Sequence, residues 1–220
     1  MPDNDVKEIE IPIGDHIHTG LLGVPPSATG IVVFAHGSGS SRLSKRNNYV
    51  AEVIRARGMA TLLFDLLTEE EDRVYENRFD IPLLKNRLIE VTEWLEKQKT
   101  LSEMAIGYFG ASTGAAAALK AAAALGDRIS AVVSRGGRPD LAGNNDLATV
   151  QTPTLLIVGG HDDVVIELNQ GAFALMNCVK ELQIVPGATH LFEEPGTLEQ
   201  AAALACDWFA RYLTGTTPPH

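Results

Sequence analysis

The stretch AIGYFGASTGAAAAL, residues 105–119, indicates the fold of this chain. Its first five residues are apolar or glycine, as in a buried strand, and the residues from Thr113 onward are rich in alanine, the best helix former. Between them, G-A-S-T-G matches the G-x-S-x-G turn that presents a nucleophilic serine between a strand and a helix. Gly110 and Gly114 leave room for such a turn. We therefore predict that Ser112 is a nucleophile rather than merely the N-cap residue of the helix.

Short apolar runs alternate with amphipathic segments on both sides of this turn. After an antiparallel start at 6–11 and 16–24, the predicted strands are 31–35, 60–64, 104–109, 129–134, 154–158 and 182–185. The predicted helices are 49–57, 81–97, 113–125, 164–177 and 198–213. This alternation predicts a single α/β domain over residues 1–220, with a mostly parallel sheet covered by helices on both faces.

Two polar segments interrupt the alternation. Residues 68–80 are strongly charged, and residues 138–150 are rich in turn-forming residues. Loops that follow strands in α/β proteins face the ligand side of the sheet, so both segments could border a site. Solvated connections are an equally good interpretation of each.

Composition and charge narrow the partners. The chain has 18 basic and 28 acidic residues and a net charge of −10, which disfavours nucleic acid and anionic membranes as partners. No apolar run reaches the roughly 20 residues of a membrane-spanning helix, and the start lacks the pattern of a signal peptide. We expect a cytoplasmic protein that binds a small molecule. The oligomeric state is not indicated.

The two cysteines, Cys178 and Cys206, form no C-x-x-C pair. Both fall in predicted helices or next to their ends, where reduced packing residues are the expected role. A disulfide between them is left open.

A serine nucleophile needs a base and an acid later in the chain. Among the histidines beyond the serine, His190 lies in a turn after the strand 182–185, at the sheet edge expected to carry the serine. Asp162 follows the strand 154–158 and two glycines, where a carboxylate would fix the tautomer of that histidine. Asp163 and Asp140 are the alternative acids.

The oxyanion of the reaction needs backbone donors. Thr113 N–H, next after the nucleophile, supplies one, and Ser38 N–H in the loop after strand 31–35 supplies the other, with Gly37 as the alternative. That loop also contains Gly37-x-Gly39, but the third glycine of a dinucleotide fingerprint is missing. The histidines form no H-E-x-x-H or comparable ligand set, so we expect neither a metal nor a cofactor.

Four segments together resemble the dienelactone hydrolase family of α/β hydrolases: HGSGSS at 36–41, GYFGASTGAAAAL at 107–119, GGHDDVV at 159–165 and PGATHLFEEPG at 186–196. The resemblance implies an α/β-hydrolase fold, a mainly parallel eight-stranded sheet without a large cap domain. It implies that Ser112, Asp162 and His190 form the catalytic triad. The chain is also similar to hydrolases fused to phosphoribosyltransferase domains, although we expect no such domain in this sequence.

One departure from the family limits what the resemblance implies. Dienelactone hydrolase proper uses a cysteine nucleophile, whereas this chain has Ser112. We therefore predict a serine hydrolase that cleaves a small ester, lactone or related acyl substrate through an acyl-enzyme, without predicting dienelactone itself. An acyltransferase or perhydrolase with the same triad, or a non-catalytic binding protein on the same scaffold, is the alternative.

Two arginines follow the strand 129–134 directly. Arg135 and Arg138 could hold a substrate carboxylate by bidentate pairing if they face the cleft. Surface ion pairs with Asp127 or Asp140 are the alternative.

Overall fold

The computed structural model describes residues 6–213. These residues contain one open eight-stranded sheet with the strand order β1-β2-β4-β3-β5-β6-β7-β8, in which β3 to β8 run parallel and β1 and β2 add an antiparallel edge. The strands are β1 (Val6–Ile13), β2 (His16–Gly23), β3 (Gly30–Ala35), β4 (Ala60–Phe64), β5 (Ala105–Ala111), β6 (Ala131–Arg135), β7 (Thr154–Gly159) and β8 (Lys180–Val185). The predicted fold class is confirmed.

Helices cover both faces of the sheet. They are α1 (Lys45–Ala56), α2 (Glu69–Asp72), α3 (Ile81–Glu96), α4 (Thr113–Leu125), α5 (Asn144–Thr149), α6 (Asp163–Leu175) and α7 (Thr197–Tyr212). Side chains of α3 and α4 pack in one core, and those of α1 and α7 pack in the other. Successive residues of β3 alternate between the two cores, so every residue of this strand is buried. Burial on both faces explains the continuous apolar runs of the sequence.

Helix α1 begins four residues earlier than the predicted start at residue 49. The Ser44 side chain caps it by accepting a hydrogen bond from the Asn47 N–H. The first turn, Lys45 to Asn48, is polar and shows no apolar periodicity, which hid it from the sequence pattern. This difference matters for the site, because the first turn of α1 borders it.

The two polar segments contain short local structure rather than a cap domain. Residues 68–80 form α2 and a 3₁₀ turn at Tyr75–Phe79, and α2 begins with a capping box between Thr68 and Glu71. Residues 138–150 contain a 3₁₀ turn at Pro139–Ala142 followed by α5.

The parallel strands end at one edge of the sheet, and the turns after β3, β5, β7 and β8 meet there. Cys178 and Cys206 are both free thiols. Over residues 6–213, the helices are too short or too polar for any of them to cross a bilayer.

Candidate active site

Ser112 stands on the turn between β5 and α4 with φ +51° and ψ −121°. Non-glycine residues rarely adopt a positive φ, and such strain persists only where neighbouring structure holds it. Here the Ser112 N–H donates to Arg135 O at 3.4 Å, and its carbonyl accepts from the N–H groups of Ala115 and Arg138, both at 3.1 Å. The end of β6 therefore holds the serine backbone in the strained turn.

The two glycines of the motif are required by close backbone approach. A Cβ atom on Gly110 would stand 2.7 Å from Ala115 N and even closer to Ala115 Cα. A Cβ atom on Gly114 would stand 2.5 Å from His36 O and even closer to Ala35 O. Gly110 thus admits the first turn of α4, and Gly114 lets α4 approach the end of β3. The requirement at Gly110 follows from the sharp turn that the sequence predicted, whereas the requirement at Gly114 comes from the neighbouring end of β3.

Asp162 and His190 form a hydrogen-bonded carboxylate–imidazole pair. His190 Nδ1 lies 2.7 Å from Asp162 Oδ2. A carboxylate accepts hydrogen bonds, so Nδ1 carries the proton and Nε2 keeps a free lone pair. Asp162 occupies the N-cap position of α6 but makes no capping bond with its side chain. The alternative acids are placed elsewhere: Asp163 is exposed on the first turn of α6, and Asp140 pairs with Arg138.

Ser112 and His190 line one cavity of about 230 Å³. Within residues 6–213 no hydrogen bond joins the Ser112 hydroxyl to the imidazole. Such contacts commonly tighten only when substrate binds. Gly37 lies beside the serine, since a Cβ atom on it would be 3.7 Å from Ser112 Oγ. The structure thus brings the serine, the histidine and the loop after β3 to one cavity.

The two predicted oxyanion donors are neighbours. The Ser38 N–H donates to Thr113 Oγ1 at 3.0 Å. The Thr113 N–H belongs to the first residue of α4, where the helix itself offers it no acceptor. The helix N-terminus also places positive potential beside Ser112. The Ser38 N–H, one of the two predicted oxyanion donors, is therefore hydrogen-bonded to the Thr113 hydroxyl in this structure.

His36 braces the loop that carries Ser38. Its Nε2 accepts from the Leu66 N–H at 3.1 Å, so Nδ1 is protonated and donates to Gly37 O at 3.0 Å. Burial lowers the pKa of His36, which keeps the ring neutral. The imidazole therefore ties the end of β3 to the end of β4.

Arg135 and Arg138 have different surroundings. Arg135 is buried and lines the cavity with Ser112, whereas Arg138 pairs with Asp140 through two bonds of 2.9 and 2.8 Å and does not line that cavity. The cavity is also lined by Arg46 and Asn47, which the sequence analysis missed because their helix turn was not predicted. Ser44, a helix-capping residue type just before them, was the available signal.

Comparison with curated proteins finds two relatives in Mycobacterium tuberculosis, from strains CDC 1551 and H37Rv. Both are 60% identical to this chain over 212 residues, which is 96% of the chain but 48% of each relative. Their names provisionally class them as phosphoribosyl transferases. The chain spans about half the length of the curated relatives it matches.

Comparison with solved structures and family models covers most of the chain. A dienelactone hydrolase from Anabaena variabilis is 51% identical, with a TM-score of 0.92 over 95% of this chain and 98% of that one. Est1E from Butyrivibrio proteoclasticus is 16% identical with a TM-score of 0.76 over 92% of this chain and 99% of that one, a likeness of fold alone. The family model for dienelactone hydrolases matches residues 19–214. This chain therefore belongs to the dienelactone hydrolase family and has the α/β-hydrolase fold.

Proposed function

We propose that this protein is a serine hydrolase that cleaves a small ester or lactone through an acyl-enzyme on Ser112. The observation that carries the proposal is the 2.7 Å hydrogen bond between Asp162 and His190, beside a cavity that also contains the strained serine. This arrangement fits the roles of nucleophile, base and orienting acid. The cavity of about 230 Å³ suits a small substrate.

The proposed reaction has two halves, and in each half His190 takes a proton from the attacking group and gives it to the leaving oxygen. His190 Nε2 takes the proton of Ser112 as Oγ attacks the carbonyl carbon, and the carbonyl oxygen becomes an oxyanion. Collapse of this intermediate breaks the bond to the leaving oxygen, which receives the proton from the imidazolium. A water molecule then repeats the sequence on the acyl-enzyme and releases the acid. Asp162 stabilises the imidazolium in both halves.

The oxyanion would accept hydrogen bonds from Thr113 N–H and Ser38 N–H. When the oxyanion forms, the Ser38 N–H has to exchange its hydrogen bond to Thr113 Oγ1 for one to the oxyanion, or donate to both acceptors. A charged acceptor forms a stronger hydrogen bond than a neutral hydroxyl, which favours this exchange in the transition state over the ground state.

The transferase name of the curated relatives is not extended to this chain. The 212 matched residues are 96% of this chain but only 48% of each relative, and this chain contains the serine turn and the Asp162–His190 pair.

The test combines turnover with covalent trapping. Wild-type protein should hydrolyse p-nitrophenyl acetate, and Ser112→Ala should lower kcat by roughly 10⁴-fold or more. Ser102→Ala, at an exposed position outside the cavity, is the matched control and should retain full activity. An organophosphonate should label Ser112, as located by peptide mass spectrometry, and His190→Ala should greatly slow the labelling. Labelling of Cys178, or equal rates with and without His190, would refute the proposal.

A further inference from the structure

Helix α6 carries a fully buried asparagine whose side chain forms a hydrogen bond outside the helix. Asn169 is 0% exposed, and its Nδ2 donates to Val165 O at 2.8 Å and to Gly137 O at 3.0 Å. Both acceptors are carbonyl oxygens, so the two bonds fix which end of the side chain is the NH₂ group. Oδ1 is buried and has no hydrogen-bond partner among residues 6–213. A leucine of similar size would avoid burying that oxygen, so packing alone does not account for an asparagine here.

The bond to Gly137 reaches the loop 135–138, which holds the Ser112 turn. The Ser112 N–H donates to Arg135 O, and Ser112 O accepts from the Arg138 N–H. The two residues between these contacts are glycines, whose backbone is less restricted than that of any other residue. A strained turn persists only where its surroundings are fixed, so this loop needs an anchor of its own.

Gly137 and its neighbour Gly136 lie close to the elements that carry the serine and the histidine. A Cβ atom on Gly137 would overlap Ser134 Oγ and would stand 2.6 Å from Ala115 Cβ, in the first turn of α4. A Cβ atom on Gly136 would stand 3.1 Å from His190 O. A displacement of the loop backbone would therefore reach both the start of α4 and the histidine turn.

Helix α6 connects the same loop to the acid. Asp162 stands at its N-cap, and Asn169 follows two helical turns later, about 10 Å along the helix axis. One helix thus carries both the carboxylate that bonds to His190 and the amide that bonds to the serine loop. This arrangement ties the Asp162–His190 pair to the Ser112 turn.

We propose that Asn169 is a positioning residue of the active site, whose amide anchors loop 135–138 and so keeps Ser112 in register with the acid and the base. The proposal rests on the proposed function and adds to it a residue that does not touch the substrate. Asn169 is fully buried and does not line the Ser112 cavity. Its removal should therefore change the rate of the chemical step rather than the binding of substrate.

The first experiment measures turnover per active site. Asn169→Leu keeps the approximate size of the side chain and removes both N–H donors. Asn169→Ser keeps a donor to the carbonyl one turn back but is too short to reach Gly137. Titration to completion with an organophosphonate counts the competent sites, and hydrolysis of p-nitrophenyl acetate is expressed per titrated site. Both variants should lower kcat about 10- to 100-fold, with KM within about threefold of wild type.

The matched control is Ala172→Gly, at a buried position three residues further along the same helix. Alanine forms no side-chain hydrogen bond, so this variant weakens the helix without releasing the loop. It should lower the Tm and leave kcat per titrated site unchanged.

A second experiment observes the loop without relying on activity. The Arg138 N–H donates to Ser112 O, and its exchange with deuterium, followed by NMR, reports opening of this contact. In Asn169→Leu and Asn169→Ser this proton should exchange about 10-fold faster or more. Ala172→Gly should leave its exchange close to that of wild type.

The outcomes separate the two proposals. If wild type is active and both Asn169 variants keep its kcat per titrated site, with only a lower Tm, Asn169 has a structural role and the positioning proposal is overturned. Asn169→Ser carries the test if Asn169→Leu does not fold. If wild type neither hydrolyses the ester nor is labelled on Ser112, the proposed function fails. Unchanged exchange of the Arg138 N–H in the variants would then overturn the anchoring as well, and faster exchange would support it.

Discussion

The substitution Gly114→Ala adds one methyl group, which should push the start of helix α4 away from the end of β3. The added Cβ would stand 2.5 Å from His36 O and even closer to Ala35 O. Both are backbone oxygens at the end of a buried strand, so no side-chain rotation relieves the overlap. Restoring van der Waals separations of about 3.5 Å requires a movement of roughly 1 Å at the start of α4 or in the loop after β3.

The magnitude follows from a matched pair of helical glycines. Gly171 lies in α6, is exposed and has nothing within 4 Å of its added Cβ. Gly171→Ala should therefore gain the helix propensity of alanine, about 1 kcal/mol of unfolding free energy. Gly114→Ala should instead lose about 1–3 kcal/mol, as overpacked sites do. The two variants should thus differ by roughly 2–4 kcal/mol, which corresponds to about 4–16 °C in Tm.

The same movement should impair catalysis. Thr113, whose N–H is a proposed oxyanion donor, is adjacent to Gly114, and a displacement near 1 Å can lower a rate about 100-fold. Denaturant unfolding and ester hydrolysis, measured on both variants, give the two readouts. If Gly114→Ala proved as stable and as active as Gly171→Ala, the inference that α4 and β3 leave no room for a methyl group at Gly114 would be wrong.

Two further predictions concern the acid and the buried histidines. Asp162→Asn should lower kcat by as much as ~10⁴-fold, because it disturbs the tautomer of His190. Asp163→Asn should lower kcat much less. If steady-state kinetics gave the reverse order, Asp163 and not Asp162 would be the acid. Burial lowers the pKa of both His18 and His36. The unfolded chain therefore binds protons more readily than the folded protein at these two residues. The free energy of unfolding should fall as the pH drops below about 6.5, by up to ~1.4 kcal/mol per histidine per pH unit. Urea unfolding between pH 7.5 and 5.5 measures how steeply the free energy of unfolding depends on pH. The dependence should be shallower in His18→Gln, and no dependence in wild type would contradict the prediction.

Local patterns of the sequence were enough to predict the fold and most of the segments that form the site, although not the first turn of α1. Continuous apolar runs mark strands that are buried on both faces, and G-A-S-T-G at a strand–helix junction demands a sharp turn. Parallel strands end at one sheet edge, so residues just after strands, such as Ser112, Asp162 and His190, were expected near one another. These inferences need only chain periodicity and turn chemistry, both of which are encoded within a few residues.

Tertiary structure decided between the alternative partners that the sequence left open for individual side chains. Asp162 and Asp163 are adjacent in sequence, and only the geometry of the turn after β7 directs the first toward His190. Arg135 and Arg138 are three residues apart, yet one is buried beside Ser112 and the other is paired with Asp140 at the surface. The reason is physical: the direction of a side chain depends on its backbone dihedral angles, and its partner comes from a distant segment brought close by the sheet. Neighbouring residues of the chain can suggest such a pair but do not fix it.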